Sequence, residues 1–181
     1  MGERVPGTCP FYARTGRCRH GASCRKAHPE AHRGRVLVLQ NVVPQLQTTD
    51  MDQATRFYDH CLEDLTLELA RLGALEGVVL ACNKNHLAGT FYASYVTEAD
   101  AQKALSALRG RYYAGAPISV QYGLMRSIAE VTCPDQFGMH GRACPFGDSC
   151  NLVHKHLPPT SLWAQLKPIL VGSERTLRRK L

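Results

Sequence analysis

The chain has 181 residues, 44% of them hydrophobic and 20% charged, a balance that suits a globular protein and excludes a wholly disordered one. Met1 to Cys9 offers no apolar stretch of the signal-peptide kind, and no run approaches the roughly 18 to 20 apolar residues of a membrane span, so a soluble intracellular protein is expected. The formal net charge of +7 is uneven: residues 1–35 hold eight Lys/Arg against two Asp/Glu, residues 36–125 six against nine, and residues 126–181 eight against four.

Basic ends attract phosphate through counterion release and an acidic centre does not, so nucleic acid is expected at the ends. Six of the eight cysteines fall in two clusters with histidines, which reads as metal binding rather than disulfide pairing in an intracellular chain. Cys61 and Cys82 stand alone in apolar patterns and read as core residues.

The first cluster is Cys9-x8-Cys18-x5-Cys24-x3-His28. Three thiolates and one imidazole make the closed tetrahedral shell that structural zinc prefers, and so short an apolar-poor segment needs the metal in order to fold. With that shell full, His20 is not expected to be a ligand. Phe11, Tyr12, Arg14, Arg17, Arg19, Arg25 and Lys26 surround it, and rings interleaved with cations suit single-stranded RNA. Packing inside the small finger is the other reading for each ring.

From Arg35 the pattern changes. Val36 to Leu39 reads as a buried strand, and Phe57, Tyr58, Cys61, Leu62, Leu65, Leu69 and Leu72 recur at helical spacing, which predicts a helix over Met51 to Leu72 ended by Gly73. Val78 to Cys82 and Thr90 to Tyr95 read as strands, Glu98 to Leu108 as a helix and Ile118 to Tyr122 as a last strand. The order is βαββαβ, the ferredoxin-like α+β order of an RNA recognition motif.

The residues that read RNA in such a sheet are mostly missing. The RNP1 pattern asks for a basic residue, Gly, and aromatics at three places, where this chain has Ala88, Gly89, Thr90, Phe91, Tyr92, Ala93, Ser94 and Tyr95. Val38 stands where strand one would carry its stacking ring. Only Tyr92 remains of the platform, so this face is expected to pack against protein.

The second cluster, Cys133-x10-Cys144-x5-Cys150-x3-His154, repeats the last two spacings of the first with a longer first gap. A longer loop closes at little extra expense, about 0.6 kcal/mol per doubling, so a second zinc is expected, with His140 the alternative to Cys133 as first ligand. Gln136, Phe137, Arg142 and Phe146 are its candidate RNA contacts. Beyond Pro158-Pro159 a helix is expected from Ser161, interrupted at Pro168, with Trp163 buried against the core and a basic stretch, Arg175 to Lys180, following.

A Cys3His finger, a degenerate recognition motif with a long first helix, and a second Cys3His finger resemble the small subunit family of the U2 auxiliary factor, over roughly Cys9 to Pro158. The motifs that carry the likeness are Cys18-Arg19-His20-Gly21, Tyr58-Asp59, His86-Leu87-Ala88-Gly89, and Arg111-Tyr112-Tyr113 with Gly115-x-Pro117-Ile118. The resemblance implies a nuclear splicing factor in a heterodimer with the large subunit. In it two zinc ions would be held by Cys9, Cys18, Cys24 and His28, and by Cys133, Cys144, Cys150 and His154. It divides the chain into a finger at 1–33, a U2AF homology motif at 34–123, a second finger at 124–157 and a helical basic tail at 158–181.

It also implies site residues. Phe11, Arg19 and Lys26 match RNA-contacting positions near the AG of a 3′ splice site, and Arg25 stands where the family commonly carries Ser. Asp59, Glu63 and Asp64 would face the basic side chains of a tryptophan-bearing peptide of the large subunit, beside a loop formed by Arg111 and Tyr113. Tyr113 replaces the family's Phe. Other readings are a general Cys3His regulator of messenger RNA, a minor-spliceosome relative, and a protein-only scaffold. Catalysis is not expected: His28-Pro29-Glu30 has the His-x-Glu of zinc deaminases, but their Pro-Cys-x-x-Cys is absent.

Overall fold

The computed structural model describes residues 7–44, 46, 48–136 and 143–171. Its centre is a four-stranded antiparallel sheet built from β1 (Val36–Gln40), β2 (Leu75–Leu80), β3 (Phe91–Tyr95) and β6 (Ser119–Tyr122), in the spatial order β2-β3-β1-β6. Two helices, α2 (Met51–Leu72) and α3 (Glu98–Leu108), give the expected βαββαβ order. A short helix α1 (Pro10–Thr15) precedes them and α4 (Thr160–Leu166) follows.

Local signals place both long helices. The Asp50 carboxylate accepts from the Asp52 and Gln53 amides at 2.9 and 3.0 Å, and the Thr97 hydroxyl accepts from the Asp100 amide at 3.0 Å, each satisfying donors that a helix start leaves open. Of α2, the stripe Cys61, Leu62, Leu65, Thr66 and Leu69 is buried. Thr66 holds its hydroxyl on the Leu62 carbonyl at 2.6 Å, so its polar atom is satisfied within the core.

The central strands β1 and β3 are buried on both faces, and strand alternation decides which side chain goes where. Leu37, Leu39, Phe91, Ala93 and Tyr95 meet the helices in one core, joined by Leu162, Leu166 and Leu170 from the end of the described chain. Val36, Val38, Val79, Ala81 and Tyr92 meet Met125, Val131 and Val153 in a second core on the opposite face. That opposite face is the one an RNA recognition motif leaves open to RNA. Here finger segments cover it.

The strand predicted at Val78 to Cys82 runs instead from Leu75 to Leu80. A bulge between Leu75 and Gly77 shifts its register against β3, which puts Leu75 and Val78 on the same side. Ala81 and Cys82 leave the sheet to meet the second finger, Ala81 bridging to Lys155 and the Cys82 amide donating to the His154 carbonyl at 2.7 Å. Trp163, expected to be buried, is 39% exposed, and Leu162 and Leu166 hold α4 down in its place. Pro168 lies in a 3-10 turn, Lys167–Ile169, directly after α4.

A hairpin absent from the sequence reading joins α3 to β6: β4 (Tyr112–Tyr113) pairs with β5 (Ala116–Pro117). Gly89 shows how closely the segments meet, because its φ is +65° and a Cβ there would strike the Val43 carbonyl. Among the described residues no helix is long and apolar enough to cross a membrane.

Candidate functional site

Each Cys3His segment wraps into the same small frame. The residue before the first cysteine bridges in parallel to the residue before the histidine, Thr8 to Ala27 and Thr132 to Val153. The amides of Cys9 and Cys133 donate to Ala27 and Val153 carbonyls, both at 2.9 Å. A 3-10 turn leads into the third cysteine in each, Gly21–Ser23 before Cys24 and Gly147–Ser149 before Cys150.

In both frames four donor atoms converge. One atom from each of Cys9, Cys18, Cys24 and His28, and from each of Cys133, Cys144, Cys150 and His154, lies within 4.8 Å of the others in its set. The Cys9 and Cys18 sulfurs are 3.8 Å apart, close to the edge of about 3.8 Å that a tetrahedron with Zn–S bonds of about 2.3 Å requires. His28 Nε2 and His154 Nε2 are buried without a hydrogen-bond partner, a cost that a metal bond removes. The two donor sets therefore fit two zinc ions. Cys133 completes the second set with the other three, and His140, the alternative ligand, lies outside the described residues.

The rings of finger 1 divide the two roles left open for them. Tyr12 stacks on the His28 ring with centroids 4.4 Å apart and planes 7° from parallel, so it braces a zinc ligand. Phe11 is 43% exposed, and in finger 2 Phe146 is 68% exposed, both next to the metal frames rather than inside them. Arg25 and Lys26 are exposed. Phe137 and Arg142 lie outside the described residues.

Two expected RNA contacts are engaged within the protein. Arg19 crosses to finger 2, where Nη2 donates to the Ser149 carbonyl at 2.8 Å and both Nη2 and Nε reach Asn151 Oδ1. The Gln136 amide exchanges two 2.7 Å hydrogen bonds with the Lys155 backbone. The fingers thus touch each other, and the β2–β3 loop holds both. Asn83 donates to Leu152 and accepts from the His154 amide, Asn85 donates to the Asp148 and Cys150 carbonyls, and Arg17 Nε donates to the His86 carbonyl at 2.8 Å.

On the helix side, a cavity of about 310 Å³ opens between α2, the end of α3 and the hairpin. Asp64, Glu68, Leu108, Arg111, Tyr113 and Ile118 are among its walls. It gathers Asp64, Arg111 and Tyr113 from the expected peptide site but neither Asp59 nor Glu63. The Asp59 carboxylate instead meets His156 Nε2 at 2.6 Å, tying α2 to the exit of finger 2. Glu68, one helical turn beyond Asp64, is the acid that the sequence reading missed: it takes Arg111 Nη1 at 2.6 Å and Arg71 Nη1 at 3.2 Å.

Titration follows these contacts. The hydrogen bond from Arg111 holds the Glu68 carboxyl below its ordinary range. Burial, then the neighbouring Cys61, pushes the Tyr113 phenol up. Burial and then the charge of Asp59 push the Cys82 thiol up to about 12, which suits an inert thiol, although Cys82 is only half-buried beside finger 2 and not in the core expected for it. Because its folded pKa is depressed, Glu68 contributes stability above the usual carboxylate range, which is lost as pH falls through its lowered pKa. With both partners partly exposed, Glu68→Gln is expected to cost under about 1 kcal/mol near pH 7. In a urea titration that difference should shrink as pH falls below the ordinary carboxylate range and the Glu68 carboxylate takes up its proton.

A βαββαβ sheet whose RNA-facing side is closed by two Cys3His zinc sites defines a tandem zinc-finger protein built on an RRM-like core. The family model for the zinc finger C-x8-C-x5-C-x3-H type (and similar) matches residues 7–30. The chain is 30% identical to the splicing factor U2af 38 kDa subunit of Drosophila melanogaster, over 99% of this chain and 67% of that protein. It is 32% identical to a U2af small-subunit splicing factor of Oryza sativa, over 84% and 53%, and 31% identical to one of Arabidopsis thaliana, over 91% and 58%. The chain belongs to the U2AF small subunit family. It spans just over half the length of the plant relatives it matches.

Proposed function

We propose that the chain is a nuclear, non-catalytic splicing-factor subunit whose two zinc fingers hold single-stranded RNA at the AG of a 3′ splice site. In this reading 1–33 and 124–157 are the RNA-binding units, 34–123 is the U2AF homology motif that docks the large subunit, and 158–181 is a tail that opens with α4, its basic stretch Arg175 to Lys180 lying outside the described residues. The observation that carries it is the sealed sheet: Tyr92, the one remaining RNP ring, is fully buried and its hydroxyl donates to the Thr15 carbonyl of finger 1 at 2.8 Å. A sheet closed in this way cannot stack bases, which leaves the exposed rings Phe11 and Phe146 and the cations Arg25 and Lys26 as the RNA surface.

The cavity beside Arg111 and Tyr113 supports the second half of the reading. Its apolar walls suit an indole, and Asp64 and Glu68 suit the peptide's basic side chains. Both metal sites supply four protein ligands and so leave no open coordination position for catalysis. When bound, zinc supplies the folding energy of each finger.

The test is a titration of the zinc-loaded protein, at fixed salt, with an RNA running pyrimidine tract then UAGG and with the same RNA carrying UACG. Each is run with and without a tryptophan-bearing peptide. Roughly tenfold tighter binding to UAGG is expected, and Phe11→Ala or Phe146→Ala should each lose about 1 to 3 kcal/mol of RNA affinity through lost stacking. Equal binding to the two RNAs would reduce the protein to a general RNA binder, and Arg111→Ala with unchanged peptide affinity would move the docking site elsewhere.

A further inference from the structure

A second, smaller cleft of about 230 Å³ lies where finger 1 meets the loops that follow β1 and β2, and Arg17, Asn41, Val43, Pro44, Asn85 and Ala88 line it. It falls below the roughly 300 to 1,000 Å³ of sites for drug-sized molecules, so it suits a small polar group better than a base with its sugar. Asn85 ties the cleft to finger 2 through its bonds to Asp148 and Cys150, so both fingers converge on it.

The charge inside is unbalanced. Arg17 is partly buried, and its three hydrogen bonds go to neutral acceptors: His86 O at 2.8 Å, Gln40 Oε1 at 3.2 Å and Asn41 Oδ1 at 3.3 Å. Among the described residues no carboxylate forms an ion pair with it. Arg19, close by, is likewise bound only to the neutral Ser149 and Asn151. His86 Nε2 is buried without a partner, and burial followed by the charges of Arg19, Arg17 and His20 holds its imidazole below the ordinary value. A partly desolvated guanidinium without a counter-charge is costly unless an anion joins it, and its planar fork matches phosphate oxygens.

We infer that this cleft seats one phosphodiester of the RNA strand held by the fingers, with Arg17 as its cation and the Asn41 side chain as a polar wall. The inference rests on the RNA reading above. It turns the junction of finger 1, sheet and finger 2 into part of the RNA track rather than a brace alone.

The test uses Asn41→Asp in the full, zinc-loaded chain. Asn41 is exposed and has φ +51°, a conformation that Asp also tolerates, and the new carboxylate would face Arg17 and cancel its charge. Affinity for the pyrimidine–UAGG RNA should fall about tenfold, and the log–log salt slope should shrink by about 0.7, the single-strand value for one phosphate. Zinc content and melting should stay unchanged. In the unaltered protein, the Arg17 Nε–H resonance should shift when this RNA binds, and one methylphosphonate linkage, walked along the strand, should abolish that shift at a single position.

Wild-type RNA affinity and salt slope in Asn41→Asp would overturn the assignment and leave the RNA reading standing. So would an Arg17 resonance that no linkage perturbs. Inorganic phosphate that moves the Arg17 resonance while the variant binds RNA normally would show a free-anion site, which also overturns it. Failure of the unaltered protein to bind any RNA would remove both readings together.

Discussion

Cys150→Ser is expected to release one of the two zinc ions and to destabilise the chain by on the order of 5 kcal/mol. Cys150 is 3% exposed, its sulfur belongs to the second donor set, and its carbonyl takes one of the two Asn85 bonds. Around it, the described residues of finger 2 form a three-residue 3-10 turn and the Thr132–Val153 parallel bridge, too little structure to persist without metal. Val153, which that bridge pairs with Thr132, and Val131, whose carbonyl accepts from the Val153 amide at 2.8 Å, are fully buried, and Met125 is 5% exposed. Losing the metal frees all three from the sheet, at about 1.5 to 3 kcal/mol each. The helix-side core should survive, so circular dichroism should keep most of its helical signal while a dye for exposed apolar surface binds more strongly. Zinc per chain and the urea midpoint decide the matter. Two zinc ions and an unchanged midpoint in the variant would remove Cys150 from the ligand set.

That dependence on metal was legible in the sequence because ligand spacing is a local property. The same holds for the two long helices, whose spans, Met51–Leu72 and Glu98–Leu108, follow from apolar periodicity. The hairpin at Tyr112 to Pro117 had a weaker local mark. Ala114 and Gly115 both have positive φ, the pattern of a two-residue hairpin turn, but Ala holds the place where Asn or Asp would have announced it.

Contacts between distant segments were not legible. Asp59 looked like part of an acidic peptide-binding face, and only the fold brings His156, 97 residues away, against it. Arg19 carried the composition of an RNA contact, yet its guanidinium lies 132 residues along the chain from Asn151, which it binds. Glu68 could have been found by stepping one turn along α2 from Asp64, but only the hairpin's position shows that Arg111 reaches it. Periodicity places a residue on a face, and the fold alone says what that face meets.

Tyr92→Phe separates a ring that reads RNA from one that seats a finger. On an RNA platform the change would keep the stacking face and leave stability nearly unaltered. Here the phenol donates to the Thr15 carbonyl, and Thr15 itself is fully buried, so the variant strands an acceptor at an expected cost of about 1 to 3 kcal/mol. Close by, Gly16 brings finger 1 so near the sheet that a Cβ on it would lie 3.1 Å from Val38 Cγ2, which leaves little room for water to replace the lost donor. Tyr92→Ala also empties a core site and should cost about 3 to 5 kcal/mol. Burial holds the Tyr92 phenol well above its ordinary value, so it contributes stability below about pH 10 that is lost as pH rises through the raised pKa. Tyr92→Phe should lack that share of the alkaline loss. RNA affinity of the folded, zinc-loaded Phe variant should match that of the unaltered protein. Full stability combined with weakened RNA binding would return Tyr92 to the RNA surface, and with it the sheet face that the two fingers now occupy.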